Sequence, residues 1–145
     1  MKIKIISIGN NPPKWVQDIL VKYISRFDAH FKIELIEIKS EKNFKSLEHK
    51  KIQEAEKIFK LIDSDFIISL DEHGSSCTSK SISEKLSSWM QNFPNITFII
   101  GGADGLDKKI IKKSNWVWSL SELTLPHNLV KVILVEQIYR ASTIL

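Results

Sequence analysis

The sequence predicts an α/β fold: a mostly parallel sheet with helices on both faces. Two observations carry this. Five short apolar runs alternate with stretches of helical periodicity, in the order βαβαβαβαβα. The inner runs are near-continuous in Ile, Leu and Phe, as strands buried on both faces are. A chain of 145 residues suits one domain, 1–145, and is long enough to bury a core without disulfide or metal staples.

Ile3–Ile8 is apolar and β-branched and stops at Gly9-Asn10-Asn11-Pro12-Pro13, a strand followed by a turn. Lys4 interrupts it, so the N-terminus reads as a strand and not a signal peptide. Trp15, Ile19, Tyr23 and Phe27 recur every four residues and predict one face of a helix. Phe31–Ile38 alternates apolar with charged residues, the pattern of a strand with a solvated face near a sheet edge. Charged residues from Ser40 to Lys51 predict a surface loop that runs into a helix striped by Ile52, Ala55, Phe59 and Ile62.

Phe66–Leu70, flanked by Asp65 and Asp71, reads as a buried strand, and 71–76 as a loop. Ser79 or Ser81 is expected to cap the next helix, with Ile82, Leu86, Trp89 and Met90 on its apolar face. Ile96–Ile100 is another buried strand and meets Gly101-Gly102-Ala103-Asp104-Gly105 at its end. A short helix through Ile110 and Ile111 follows, then a last strand, Trp116–Leu120. Ser121–Pro126 is a loop, and His127–Ala141 a helix striped by Val130, Leu134 and Ile138. Ligands of such sheets bind at the carboxyl ends of strands. That selects three loops: Leu70–Gly74, Gly101–Gly105 and Ser121–Pro126.

Charge and composition narrow the function classes. The 21 basic and 17 acidic residues leave +4, compatible with an anionic partner. Nearly all of the positive charge is lysine, which meets phosphate as a point charge; only Arg26 and Arg140 are arginines, so sequence-specific duplex reading is not expected. The lysine pairs Lys108-Lys109 and Lys112-Lys113 form either a solvated face or a phosphate footprint. Cys77 stands alone, which excludes an internal disulfide, fits a cytoplasmic location, and marks an incidental thiol. Four scattered histidines without paired spacing argue against a metal site. No run of about 18 apolar residues exists to span a membrane.

The glycine loop lacks the spacing of a dinucleotide or P-loop signature. It fits either a tight turn or a close backbone approach to a ligand. Leu123 and Leu125 in a loop could line an apolar pocket or simply pack, with Pro126 opening a helix. Glu136 and Arg140 have ion-pair spacing on one helix face.

Taken together, these segments resemble the RlmH family. The resemblance lies in Met1-Lys2-Ile3-Lys4-Ile5 with Trp15-Val16, Glu34-Leu35-Ile36-Glu37-Ile38, and Leu70-Asp71. It continues in Phe98–Leu106 with its Gly-Gly-x-x-Gly, Trp118-Ser119-Leu120-Ser121, Leu123-Thr124-Leu125-Pro126-His127, and Glu136-Gln137-Ile138-Tyr139-Arg140-Ala141. It runs over essentially the whole chain. It implies a SPOUT-class methyltransferase with a C-terminal trefoil knot, acting as a homodimer. The implied reaction is S-adenosylmethionine-dependent methylation at N3 of a pseudouridine in the large-subunit ribosomal RNA of the assembled ribosome. The cofactor positions it implies are Leu70, Gly102, Ser121, Glu122, Leu123, Thr124, Leu125 and Pro126. Arg140, Tyr139 and His127 are the catalytic candidates. Where the family continues into a short His-Pro-Tyr-His-like segment, this sequence runs through Ser142-Thr143-Ile144 to Leu145. The resemblance assigns that segment to substrate binding and catalysis. Cofactor binding is therefore expected of 1–145, and a non-catalytic ribosome- or RNA-binding module is the alternative. A generic nucleotide-binding domain is a weaker third reading.

Overall fold

The computed structural model describes residues 1–9, 11–40, 42–62 and 66–144. Asn10, Glu41, Asp65 and Leu145, which the sequence reading touches, lie outside these. The elements are β1 (Lys2–Ile8), α1 (Lys14–Ile24), β2 (Lys32–Ile38), α2 (Leu47–Leu61), β3 (Phe66–Ser75), α3 (Ser79–Asn92), β4 (Asn95–Ile100), α4 (Lys108–Lys113), β5 (Trp116–Trp118) and α5 (His127–Ile144). The order of strands and helices is the expected one.

The strands lie in the order β2-β1-β4-β3-β5, and each pairing is parallel. The alternating strand β2 takes an edge, as its charged face requires. Strand period decides the two cores. Ile3 and Ile5 of β1, Ile96, Phe98 and Ile100 of β4, and Ile68 and Leu70 of β3 face α1, α3 and α5. Ile6, Ile8, Ile67 and Ile99 face α2 and α4, packing on Ala55, Ile58 and Ile110. Each isoleucine so buried contributes on the order of 2 kcal/mol. Lys4 fits this pattern because its ammonium leaves the sheet to donate to the Leu61 carbonyl at the end of α2, 2.9 Å away.

Several local expectations are corrected. Trp15 is 54% exposed; Val16 and Leu20 are the buried residues of α1, one position round the helix. The same offset leaves Met90 outside and Trp89 inside. α1 ends at Ile24, so Phe27 packs from beyond it. Thr78, not Ser79 or Ser81, caps α3, its side chain accepting from the Ser81 amide. β3 does not stop at Leu70: it resumes pairing with β5 at Ser75 after a bulge that displaces 71–74. Gly74 makes the second contact possible, since a Cβ there would lie 2.7 Å from the Val117 carbonyl oxygen.

Candidate active site

The carboxyl ends of β3, β4 and β5 open into one cavity of about 840 Å³. All three loops singled out from the sequence line it. Leu70, Trp118, Leu120, Leu125 and Val130 give it an apolar body, and Asp71, Glu72 and Asp104 give it an acidic rim. Most sequence-predicted positions meet here: Leu70, Gly102, Ser121, Leu123, Thr124, Leu125, Pro126 and His127. Glu122 is exposed and does not line the cavity.

Local hydrogen bonds set the shape of each loop. Gly102 accepts from the Gly105 amide at 3.1 Å, closing a turn in which Gly105 has φ +80°, a left-handed conformation that favours glycine. The conformational need therefore falls on Gly105. At Gly102 a Cβ would sit 3.4 Å from the Ile8 carbonyl oxygen, in tight but ordinary contact. The loop does not itself open a helix. Asp107 caps α4, its carboxylate accepting from the Lys109 amide at 2.8 Å. Lys50 of α2 braces the loop from the other side, donating to Asp104 Oδ2 at 2.8 Å, and this bond raises the lysine's pKa above its ordinary value. That link joins residues 54 apart in sequence, and no local pattern signals it.

In the third loop, Ser119 donates to the Ser121 carbonyl and Ser121 Oγ accepts from the Leu123 amide, folding a compact turn. Thr124 donates to Glu72 Oε2 at 2.7 Å and ties this loop to the β3 bulge. Pro126 accepts from the Leu129 and Val130 amides at the start of α5. The His127 ring lies against Gly9 at the end of β1: a Cβ on Gly9 would be 2.7 Å from Nε2. Leu123 is 71% exposed at the cavity mouth.

The other two catalytic candidates lie elsewhere. Arg140 is thirteen residues beyond His127 on α5, about 20 Å along the axis. It donates from Nε to Glu136 at 2.9 Å, the i, i+4 pair the spacing predicts. The Tyr139 ring packs against Tyr23 and Phe27 of the α1 region, with centroids 6.0 and 5.4 Å away. Cys77 is partly buried, and burial pushes its thiol pKa up, the opposite of an activated nucleophile. Among the described residues no cluster of His, Cys, Asp and Glu suits a metal ion, and no helix is long and apolar enough to cross a membrane.

The chain thus has a five-stranded parallel sheet whose strand-end loops line one cavity, and it is similar to known methyltransferases. The chain aligns over 97% of its length with the crystal structure of tRNA (m1G37) methyltransferase from Aquifex aeolicus, covering 70% of that chain at a TM-score of 0.56 and 14% identity, a likeness of fold. The family model described as "Predicted SPOUT methyltransferase" matches residues 1–145. The ribosomal RNA large subunit methyltransferase H of Methylobacillus flagellatus is 38% identical over 147 residues, covering all of this chain and 95% of that protein. The protein of that name from Francisella tularensis subsp. novicida is 41% identical over 148 residues, with 96% of it covered. The chain belongs to the RlmH family of SPOUT methyltransferases.

Proposed function

We propose that this protein transfers a methyl group from S-adenosylmethionine to N3 of a pseudouridine in large-subunit ribosomal RNA within the ribosome. The observation that carries the proposal is the convergence of three strand-end loops on one cavity. Its volume lies in the range of small-molecule sites. Its residues fit this cofactor. The apolar body suits an adenine ring, the backbone at Gly102 is open to close approach, and Asp71 and Glu72 complement a ligand that carries a sulfonium and an ammonium.

When bound, S-adenosylmethionine supplies a methyl group already activated by the positive sulfur. The chain's own work is to position, exclude water and remove a proton. Leu70, Leu125 and Pro126 would hold the adenosine, and the tied loops 121–126 and 71–73 would fix its ribose and methionine ends. As N3 gains the methyl group it must lose its proton. Of the three catalytic candidates His127 alone lines the cavity, and its imidazole is assigned as the proton acceptor.

A homodimer belongs to the same reading. Trp15 and Val21 of α1 and Leu129 of α5 expose apolar surface that a second copy would cover. So do the C-terminal trefoil knot with 121–126 as its knotted loop, the single domain 1–145, and a cytoplasmic location where ribosomes are made. A non-catalytic ribosome-binding module is the competing reading, favoured by the +4 charge.

Calorimetric titration with S-adenosylmethionine tests the cavity, and absence of binding would refute the proposal. A radiolabelled-methyl assay on ribosomes lacking the modification tests turnover. Methyl incorporation excludes the binding module, whereas particle binding without incorporation supports it.

A further inference from the structure

Phe44 stands in the lysine-rich segment before α2, with 44% of its surface exposed. A single exposed apolar side chain is ordinary. What sets this one apart is how it is held. The Lys50 ammonium lies 5.4 Å from the centre of the Phe44 ring and at the same time 2.8 Å from Asp104 Oδ2 in the cavity wall. One half-buried cation thus joins an exposed ring to the rim of the cavity. The lysine side chain is 15% exposed, so the link is shielded from solvent better than a surface pair. Lys51, next in sequence, lines the cavity itself, and the exposed Lys42 and Lys45 flank Phe44 along the chain.

A fixed aromatic face among lysines, beside a cavity, has the chemistry of a single-stranded nucleic acid contact. Lysines meet the phosphates, and an unpaired base stacks on the ring. The cation attracts the ring from within the fold, and much of the ring's surface stays exposed.

We infer that Phe44 is a stacking platform for an unpaired base next to the nucleotide being methylated, positioned by the Lys50–Asp104 pair. This rests on the reading of RNA as the substrate. Phe44 touches neither cofactor nor reacting atoms; it is a positioning residue.

The test compares wild-type protein with Phe44→Ala and Phe44→Trp, using ribosomes that lack the modification. The expected result is a KM for ribosomes raised about tenfold in Phe44→Ala and restored in Phe44→Trp. kcat and the Kd for S-adenosylmethionine should stay as in the wild type. An unchanged KM in Phe44→Ala, or a fall in cofactor affinity that tracks the KM change, would overturn the inference. A second measurement separates it from the functional reading. A single-stranded RNA carrying 2-aminopurine should be quenched on binding the wild-type protein and not on binding Phe44→Ala. Quenching that depends on Phe44, together with no methyl transfer by the wild type, would retain the platform and sink the methyltransferase reading. Methyl transfer with quenching that is indifferent to Phe44 would do the reverse.

Discussion

Thr124 donates a hydrogen bond to Glu72 across 2.7 Å, joining the loop after β5 to the bulge of β3 over the mouth of the cavity. The two residues are 52 apart in sequence, one in β3 and the other in the loop that follows its neighbour β5, so the bond fixes the relative position of two walls of one site. Both groups are exposed, so the bond contributes little to global stability and acts on the shape of the site.

Thr124→Val keeps the shape of the side chain and removes the donor. It is expected to weaken S-adenosylmethionine binding by about 1 kcal/mol, roughly fivefold, with the melting temperature nearly unchanged. Calorimetry with thermal unfolding checks both. An equal affinity would show that the bond does not order the site.

Gly102→Val should abolish cofactor binding while the fold is retained, because its branched methyls must enter either the cavity or the space against Ile8. Gly102→Ala is the milder control, since its Cβ has 3.4 Å to the nearest atom. Circular dichroism and titration decide. Full affinity in the valine variant would refute the close approach.

Lys131 of α5 is 2% exposed and donates to Glu37 of β2. Removing the carboxylate alone strands a buried ammonium, so Glu37→Ala is expected to cost about 3 kcal/mol in denaturant unfolding. The double variant Glu37→Ala with Lys131→Met should recover most of that loss. A double variant no more stable than the single one would contradict the account.

The Cys77 thiol holds its proton to higher pH than an ordinary thiol because it is partly buried. The stability this contributes is present below the ordinary thiol pKa and is lost as pH rises through the raised one. Alkylation by iodoacetamide at pH 8 should therefore be markedly slower in the folded protein than in denaturant, and should accelerate as pH increases. Equal rates would show an open, unshifted thiol.

What could be read from the sequence was what depends on neighbours in the chain. Runs such as Ile96–Ile100 announce strands, and Ile33, Leu35 and their charged neighbours announce an edge. The rule that ligands sit at strand ends then selects the cavity loops. The misses have physical causes. A four-residue repeat cannot distinguish Trp15 from Val16 as the inward residue, because adjacent positions differ by only 100° around a helix. Asp71-Glu72-His73-Gly74 is loop-like in composition, and only the contact of Gly74 with the Val117 backbone shows that β3 resumes beyond it. Tyr139 and Arg140 follow His127 closely in sequence, yet a straight helix carries them away from the cavity. The Phe44–Lys50–Asp104 chain depends on a fold-level meeting of α2 with the glycine loop, which no window of sequence contains.

β5 has only three residues, paired on one side to β3, and the rings of Trp116 and Trp118 help hold it there by packing on Trp89 of α3 and Phe98 of β4. The loop that closes the cavity therefore departs from the weakest-laddered corner of the sheet. Amide protons of 116–125 should exchange earliest among the strand-end segments in the free protein and slow the most once the cavity is filled. Ligand occupancy and the local order of this corner are two readings of one equilibrium.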